Sequence, residues 1–140
     1  MKKLIFKTLP AVLLLVGAFI VLGGCEEKEQ IKLKGTSWKL KGIYNNNTKE
    51  FKVLAPENCN DCYSFTFDTD TTAEGKSTTN QLRVCLCEKV SIGIGTFVCE
   101  IGDGYVFVEA TNKVTSCSVS DQYLKFLFDE GNQYLLFKRK

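Results

Sequence analysis

The sequence predicts an all-β fold: a small antiparallel β-barrel or barrel-like sandwich of about eight strands, stabilised by disulfides. Three observations carry that reading. Apolar and polar residues alternate at period two through short segments from Thr36 onward. Gly, Asn and Asp punctuate those segments at close intervals, as tight turns between antiparallel strands require. No stretch shows a convincing apolar stripe at helical spacing. The length agrees, since 140 residues allow one domain and leave little room for a second.

Each element has its own signal. Trp38, Leu40 and Ile43 mark a first strand, and Asn45-Asn46-Asn47 is its turn. Phe51 and Val53 follow; Tyr63, Phe65 and Phe67 then alternate with Ser64 and Thr66. The Asp- and Thr-rich residues 68–75 read as a polar loop. Further strands are predicted over 82–86, 95–101, 105–110, 114–119, 123–128 and 133–138. One hairpin can be set in register. Asp103-Gly104 suits a two-residue type I′ turn, because both residues tolerate positive φ. That pairing puts Ile101 opposite Val106, Cys99 opposite Val108 and Phe97 opposite Ala110, an apolar face. Cys99 then points inward, and Cys117 on the next strand, sharing a face with Thr115 and Val119, is its expected disulfide partner.

The chain has seven Cys and no His. The missing imidazole excludes a Ser-His-Asp or Cys-His nucleophile pair, a His-ligated zinc and a His base, so no enzyme is predicted. Cys25 aside, Cys59, Cys62, Cys85, Cys87, Cys99 and Cys117 are an even set of disulfide candidates in an exported domain. Cys85 and Cys87 lie on one strand face and are expected to reach toward the Cys59/Cys62 loop and not toward each other. A four-thiolate zinc site from those four is disfavoured by the short C-x-C bite. Residues 68–79 open like a calcium loop but lack its Gly and closing Glu, Thr79 standing in the last place. No metal and no cofactor are therefore predicted. Asp70-Thr71-Thr72 resembles a short bacterial O-glycosylation motif, and Asp129 and Glu130 read as turn residues.

The first 25 residues give an address. Lys2, Lys3 and Lys7 precede an apolar run from Leu9 to Leu22, too short for a membrane span and right for a secretory signal. The run ends in Leu22-Gly23-Gly24-Cys25, which resembles the lipobox of bacterial lipoproteins. That resemblance implies a signal peptide over 1–24, lipidation of Cys25 and a charged tether over 25–34, ahead of a single barrel domain over 35–140. The acid-rich Glu26-Glu27-Lys28-Glu29 resembles the segment after the lipidated Cys in surface-exported lipoproteins of Bacteroidetes. Cleavage before Cys25 removes three of 18 basic residues, leaving 15 against 16 acidic ones. No basic face is then expected, and no nucleic-acid partner.

A family resemblance extends into the domain. Leu33-Lys34-Gly35-Thr36-Ser37-Trp38-Lys39-Leu40, Phe65-Thr66-Phe67-Asp68, the Gly75-Lys76-Ser77-Thr78-Thr79-Asn80 turn and the closing 123–138 pair resemble META-domain lipoproteins. Lipocalin-like proteins offer a second resemblance, with G-x-W at their start where this chain has one more residue. Together these imply a non-enzymatic, lipid-anchored envelope protein at the outer membrane, on its periplasmic face or at the surface, acting as a binding module. Two alternatives are an inhibitor of secreted proteases presenting Asn58, Asn60 and Asp61, and a calycin-type carrier of a small apolar ligand.

Overall fold

The computed structural model describes residues 31–140; the predicted signal, Cys25 and the start of the tether lie outside the described residues. The first strand, β1 (Ser37–Asn45), turns into a short β2 (Glu50–Lys52). The chain continues through β3 (Ser64–Phe67), β4 (Thr72–Lys76), β5 (Gln81–Leu86) and β6 (Val90–Ile94). A helix, α1 (Gly104–Lys113), precedes β7 (Ser116–Val119), β8 (Tyr123–Phe128) and β9 (Gln133–Arg139). All pairings are antiparallel, in the order β6-β5-β4-β3-β1-β9-β8-β7, with β2 added along β1. Eight of the strands form a nearly closed barrel. The all-β expectation holds.

β1 joins the two halves. Its first residues pair with β3, its last with β2, and its whole length with β9 across a register shift between Leu40 and Gly42. Alternation sends Trp38, Phe65, Phe67, Leu124, Phe126, Leu135 and Phe137 inward. Phe65 meets Phe126 edge-on with ring centroids 5.8 Å apart, and Phe137 lies 5.4 Å from Phe65 and 5.5 Å from Phe126. The Trp38 indole N–H donates to Thr36 Oγ1 at 2.8 Å, so its polar edge is satisfied. Aromatic side chains thus pack together in the interior.

Four segments differ from the expectation. Residues 105–110 belong to α1, not to a strand. The helical register puts Phe107, Ala110 and Thr111 on one buried face, and Phe107 packs 4.9 Å from the Tyr63 ring. Burial of that face overrides the β-preference of Tyr105, Val106, Phe107 and Val108. Residues 95–101 form no strand, so the Asp103-Gly104 hairpin is not made and Gly104 opens the helix instead. β4 (Thr72–Lys76) takes up the second half of the expected 68–75 loop, and β6 lies outside every expected strand.

The helix starts beside Thr78, at the β4–β5 turn, and its C-terminal end leads to Thr115, whose N–H donates to Leu127 O. It therefore lies over one end of the barrel, touching β6 and β8. The chain enters at the other end, where the Leu33 and Lys34 amides donate to Asp70 Oδ1 at 3.0 and 2.9 Å. Among the described residues no helix is long and apolar enough to cross a membrane.

Replacing Phe65, which touches both barrel and helix aromatics, tests this core. Phe65→Ala is expected to lower unfolding free energy by about 3–5 kcal/mol in denaturant titration. A loss below about 1 kcal/mol would contradict the packing.

Candidate interaction surface

The helix-covered end carries two loops that fix each other. The first is residues 96–103, which leave β6 and return to the helix. They have no ladder partner, and the turn between β4 and β5 replaces one with side chains. Asn80 Oδ1 accepts from the Val98 amide at 2.7 Å and from Thr96 Oγ1 at 2.9 Å, while its Nδ2 donates to Val98 O at 2.6 Å. Thr79 Oγ1 donates to Cys99 O at 2.9 Å, and Thr78 Oγ1 accepts from the Ile101 amide at 3.0 Å.

Glu100 sits at the centre. The residue is 9% exposed, and its carboxylate accepts from five donors of that turn. Ser77 Oγ and Asn80 Nδ2 reach Oε1 at 2.5 and 2.6 Å. The Thr78 and Thr79 amides reach Oε2 at 3.2 and 3.3 Å, together with the Thr78 hydroxyl. Burial alone would raise the Glu100 pKa, but the bonds from Asn80, Ser77 and Thr78 outweigh it and hold the value down at about 2. An anion this well held is a structural clamp, and it is far from the pH range of acid–base catalysis. Gly104 is required beside it, because a Cβ there would collide with the Glu100 carboxylate and the Thr78 hydroxyl.

The clamped loop displays apolar side chains. Phe97 is 93% exposed, with Val98 and Ile101 at 57%, and Tyr105 in the first turn of α1 adds to them at 62%. Burying such groups is the usual source of interface energy, and a fixed backbone limits the entropy lost on contact. The sequence reading placed Phe97 inside a strand. The local signal of the observed arrangement is a Glu in an otherwise apolar stretch, with an S-T-T-N turn upstream.

The second loop contains Asn58, Asn60 and Asp61, all exposed. A Cys59–Cys62 disulfide closes it, and the Cys62 amide donates to Cys59 Sγ. The Lys39 ammonium donates to the carbonyls of Cys59, at 2.7 Å, and Cys62, tying the loop to β1. Burial lowers the Lys39 pKa, repulsion from Lys140 adds to that, and Asp61 opposes it. The two loops join at Ala55. Its amide donates to Asp103 Oδ2 at 2.8 Å, its carbonyl accepts from the Asp103 amide at 2.8 Å, and the Tyr63 hydroxyl reaches the same carbonyl at 2.6 Å. Tyr63 holds a positive φ of 53° to do so, and burial, Asp103 and Glu100 push its phenol up to about 12.

The disulfides differ from the expected pattern. Cys85 bonds Cys87, not the Cys59/Cys62 loop, and Cys59 bonds Cys62. Each free-standing pair is local because the Cys85–Cys87 segment lies at the β5–β6 turn, whereas the 59–62 loop precedes β3 at the opposite end. Cys99 and Cys117 are free thiols, the first exposed and the second half-buried, so the Cys99–Cys117 bridge is not formed. It depended on the hairpin that α1 replaces. Among the described residues no Cys, Asp or Glu cluster could hold a metal ion.

No family model matches the chain. A protein of Tannerella forsythia named "Putative lipoprotein" is 34% identical over 136 residues, covering 91% of this chain and 94% of that protein. The chain belongs to its family. A crystal structure of a DUF4847 family protein from Bacteroides vulgatus is similar with a TM-score of 0.54, over 76% of this chain and 93% of that one. At 14% identity, that likeness shows the fold alone. Neither relative carries a META-domain or lipocalin name.

Two outcomes check the clamp and the thiols. With a folded pKa near 2 and an unfolded one near 4.5, Glu100 stabilises the fold above about pH 4.5 and ceases to as pH falls toward 2. Up to about 3 kcal/mol is at stake, and Glu100→Gln should flatten that part of a pH–stability profile. An unchanged profile would refute the clamp. Under non-reducing conditions, alkylation followed by peptide mapping should label Cys99 quickly and Cys117 slowly, burial having raised the Cys117 thiol pKa. Equal rates, or a mapped Cys99–Cys117 bridge, would count against this arrangement.

Proposed function

We propose that this chain is a non-enzymatic, lipid-anchored protein of the bacterial envelope, held at the outer membrane through Cys25 and acting as a protein-interaction module. The observation that carries this reading is Phe97, almost fully exposed on a loop that Glu100 immobilises. An unpartnered Phe costs nothing to leave flexible, so the many bonds that fix its backbone are consistent with presentation to a partner. The lipoprotein name of the Tannerella forsythia relative and the Leu22-Gly23-Gly24-Cys25 motif support the anchor. Residues 31–34 lie by Asp70, with β4 between them and the 77–80 turn, so the apolar loop is directed away from the entering chain.

A second reading has its own support. The 58–61 loop, closed by a disulfide and gripped by Lys39, has the rigidity that a substrate-like protease inhibitor needs. A panel of secreted proteases tests it: inhibition should depend on Asn60 and Asp61, and failure against every protease would remove it.

Cys25→Ala should abolish incorporation of labelled palmitate and shift the protein to the soluble fraction. For the module itself, a photoreactive residue at position 97 should cross-link a protein in whole cells, and one at position 112, on the exposed helix face, should not. Persistent membrane association of Cys25→Ala would refute the anchor. A monomeric protein without cross-links at 97 would refute the interaction loop.

A further inference from the structure

The side of the barrel formed by β7, β8 and β9 has a chemistry that neither loop explains. Inward residues there are Leu124, Phe126, Phe128, Leu135 and Phe137, so the alternate positions point out. Register places Ser118 beside Lys125 and Lys125 beside Leu136 in one row. The next row holds Ser120, Tyr123 and Lys138, with Lys39 of β1 opposite Lys138. The row on the other side brings Leu127, Tyr134 and Tyr44 together.

A groove of about 360 Å³ opens on this face, lined by Ser118, Ser120, Tyr123, Lys125, Tyr134 and Leu136. Its tyrosines are Tyr123 and Tyr134; Tyr134 is held from outside the groove by Tyr44, ring centroids 5.3 Å apart, and the Lys125 ammonium sits 4.6 Å from the Tyr134 centroid. No acidic residue occupies an outward position of β7, β8 or β9, and among the described residues neither Lys125 nor Lys138 makes an ion pair. Lys39, the register partner of Lys138, turns its ammonium to the Cys59 and Cys62 carbonyls, so Lys125 and Lys138 are the cations left on this face. By contrast, β4 and β5 balance Glu74 with Arg83 on their outer face. The 15 basic and 16 acidic residues after position 24 nearly cancel, so the excess of cations here arises from register alone.

We propose that this groove binds acidic pyranose units of a polysaccharide, with the sugar ring on Tyr134 and Tyr123 and its anionic group at Lys125 and Lys138. The C–H groups of a pyranose face carry partial positive charge and meet the negative face of a tyrosine ring. Ser118 and Ser120 offer hydroxyls to the sugar hydroxyls at the groove wall. The two ammonium groups supply charge-assisted bonds to a carboxylate or sulfate. A flat anionic bilayer would satisfy the lysines but not the concave tyrosine floor, which is why a discrete sugar fits better. This site is separate from the 96–103 loop, so it stands or falls independently of that reading.

The test uses the full chain in neutral detergent and measures binding by titration calorimetry. The probes are an oligogalacturonate, a sulfated oligosaccharide, a neutral maltodextrin and phosphatidylglycerol micelles. At least one acidic sugar should bind about tenfold more tightly than the maltodextrin, and its affinity should fall as salt rises. Comparison of the first two probes assigns the anionic group as carboxylate or sulfate. Lys125→Gln with Lys138→Gln, and separately Tyr134→Ala, should each weaken binding about tenfold with the melting temperature nearly unchanged, since all three side chains face outward. The proposal is overturned if neither acidic sugar binds, if maltodextrin binds equally well, if the variants have no effect, or if the phospholipid is preferred.

Discussion

The bond network around Glu100 is the constraint on which the rest of this end of the molecule depends. A carboxylate taken almost wholly out of water must find partners, or its burial would cost several kcal/mol. Five donors of residues 77–80 supply them. Once that anion is fixed, Val98 and Ile101 have amide partners in Asn80 and Thr78. Gly104 then begins a helix at a set point, and Phe107 drops into the aromatic core beside Tyr63. The same anchoring carries through Asp103 to Ala55 and so to the disulfide-closed 59–62 loop.

Two kinds of surface follow from the barrel. Its helix-covered end is apolar and loop-built, and its rigidity comes from polar side chains bonding backbone groups. Its β7–β9 side is strand-built, with tyrosines and lysines placed by cross-strand register. The core keeps both in position. Phe65, Phe126 and Phe137 interlock at the centre, and Phe107 couples the helix to them at 6.3 Å from Phe65 and 6.4 Å from Phe137.

Much of the barrel was legible from local pattern. β1, β3, β5, β7, β8 and β9 follow from alternation, because one face is buried and the other wet, and period two records that directly. The helix was not, since Tyr105, Val106, Phe107 and Val108 favour strand locally. Its stripe of Phe107, Ala110, Thr111 and Val114 is visible only when Ala and Thr are allowed as buried residues. The S-T-T-N turn is legible as a motif, but its role as an anion clamp is not. Glu100 lies 20 residues beyond Asn80, and nothing local pairs the two.

By itself, the sequence determined the fold class, the aromatic core and the likeness of residues 22–25 to a lipoprotein cleavage site, because each rests on local periodicity or a contiguous motif. Tertiary structure decided which cysteines meet, where the apolar loop is displayed and which side of the barrel is basic. Disulfide partners and surface patches depend on residues far apart in the chain, and strand order and register bring those together. A chain whose charges nearly cancel in composition can thus carry a face on which every outward charge is positive.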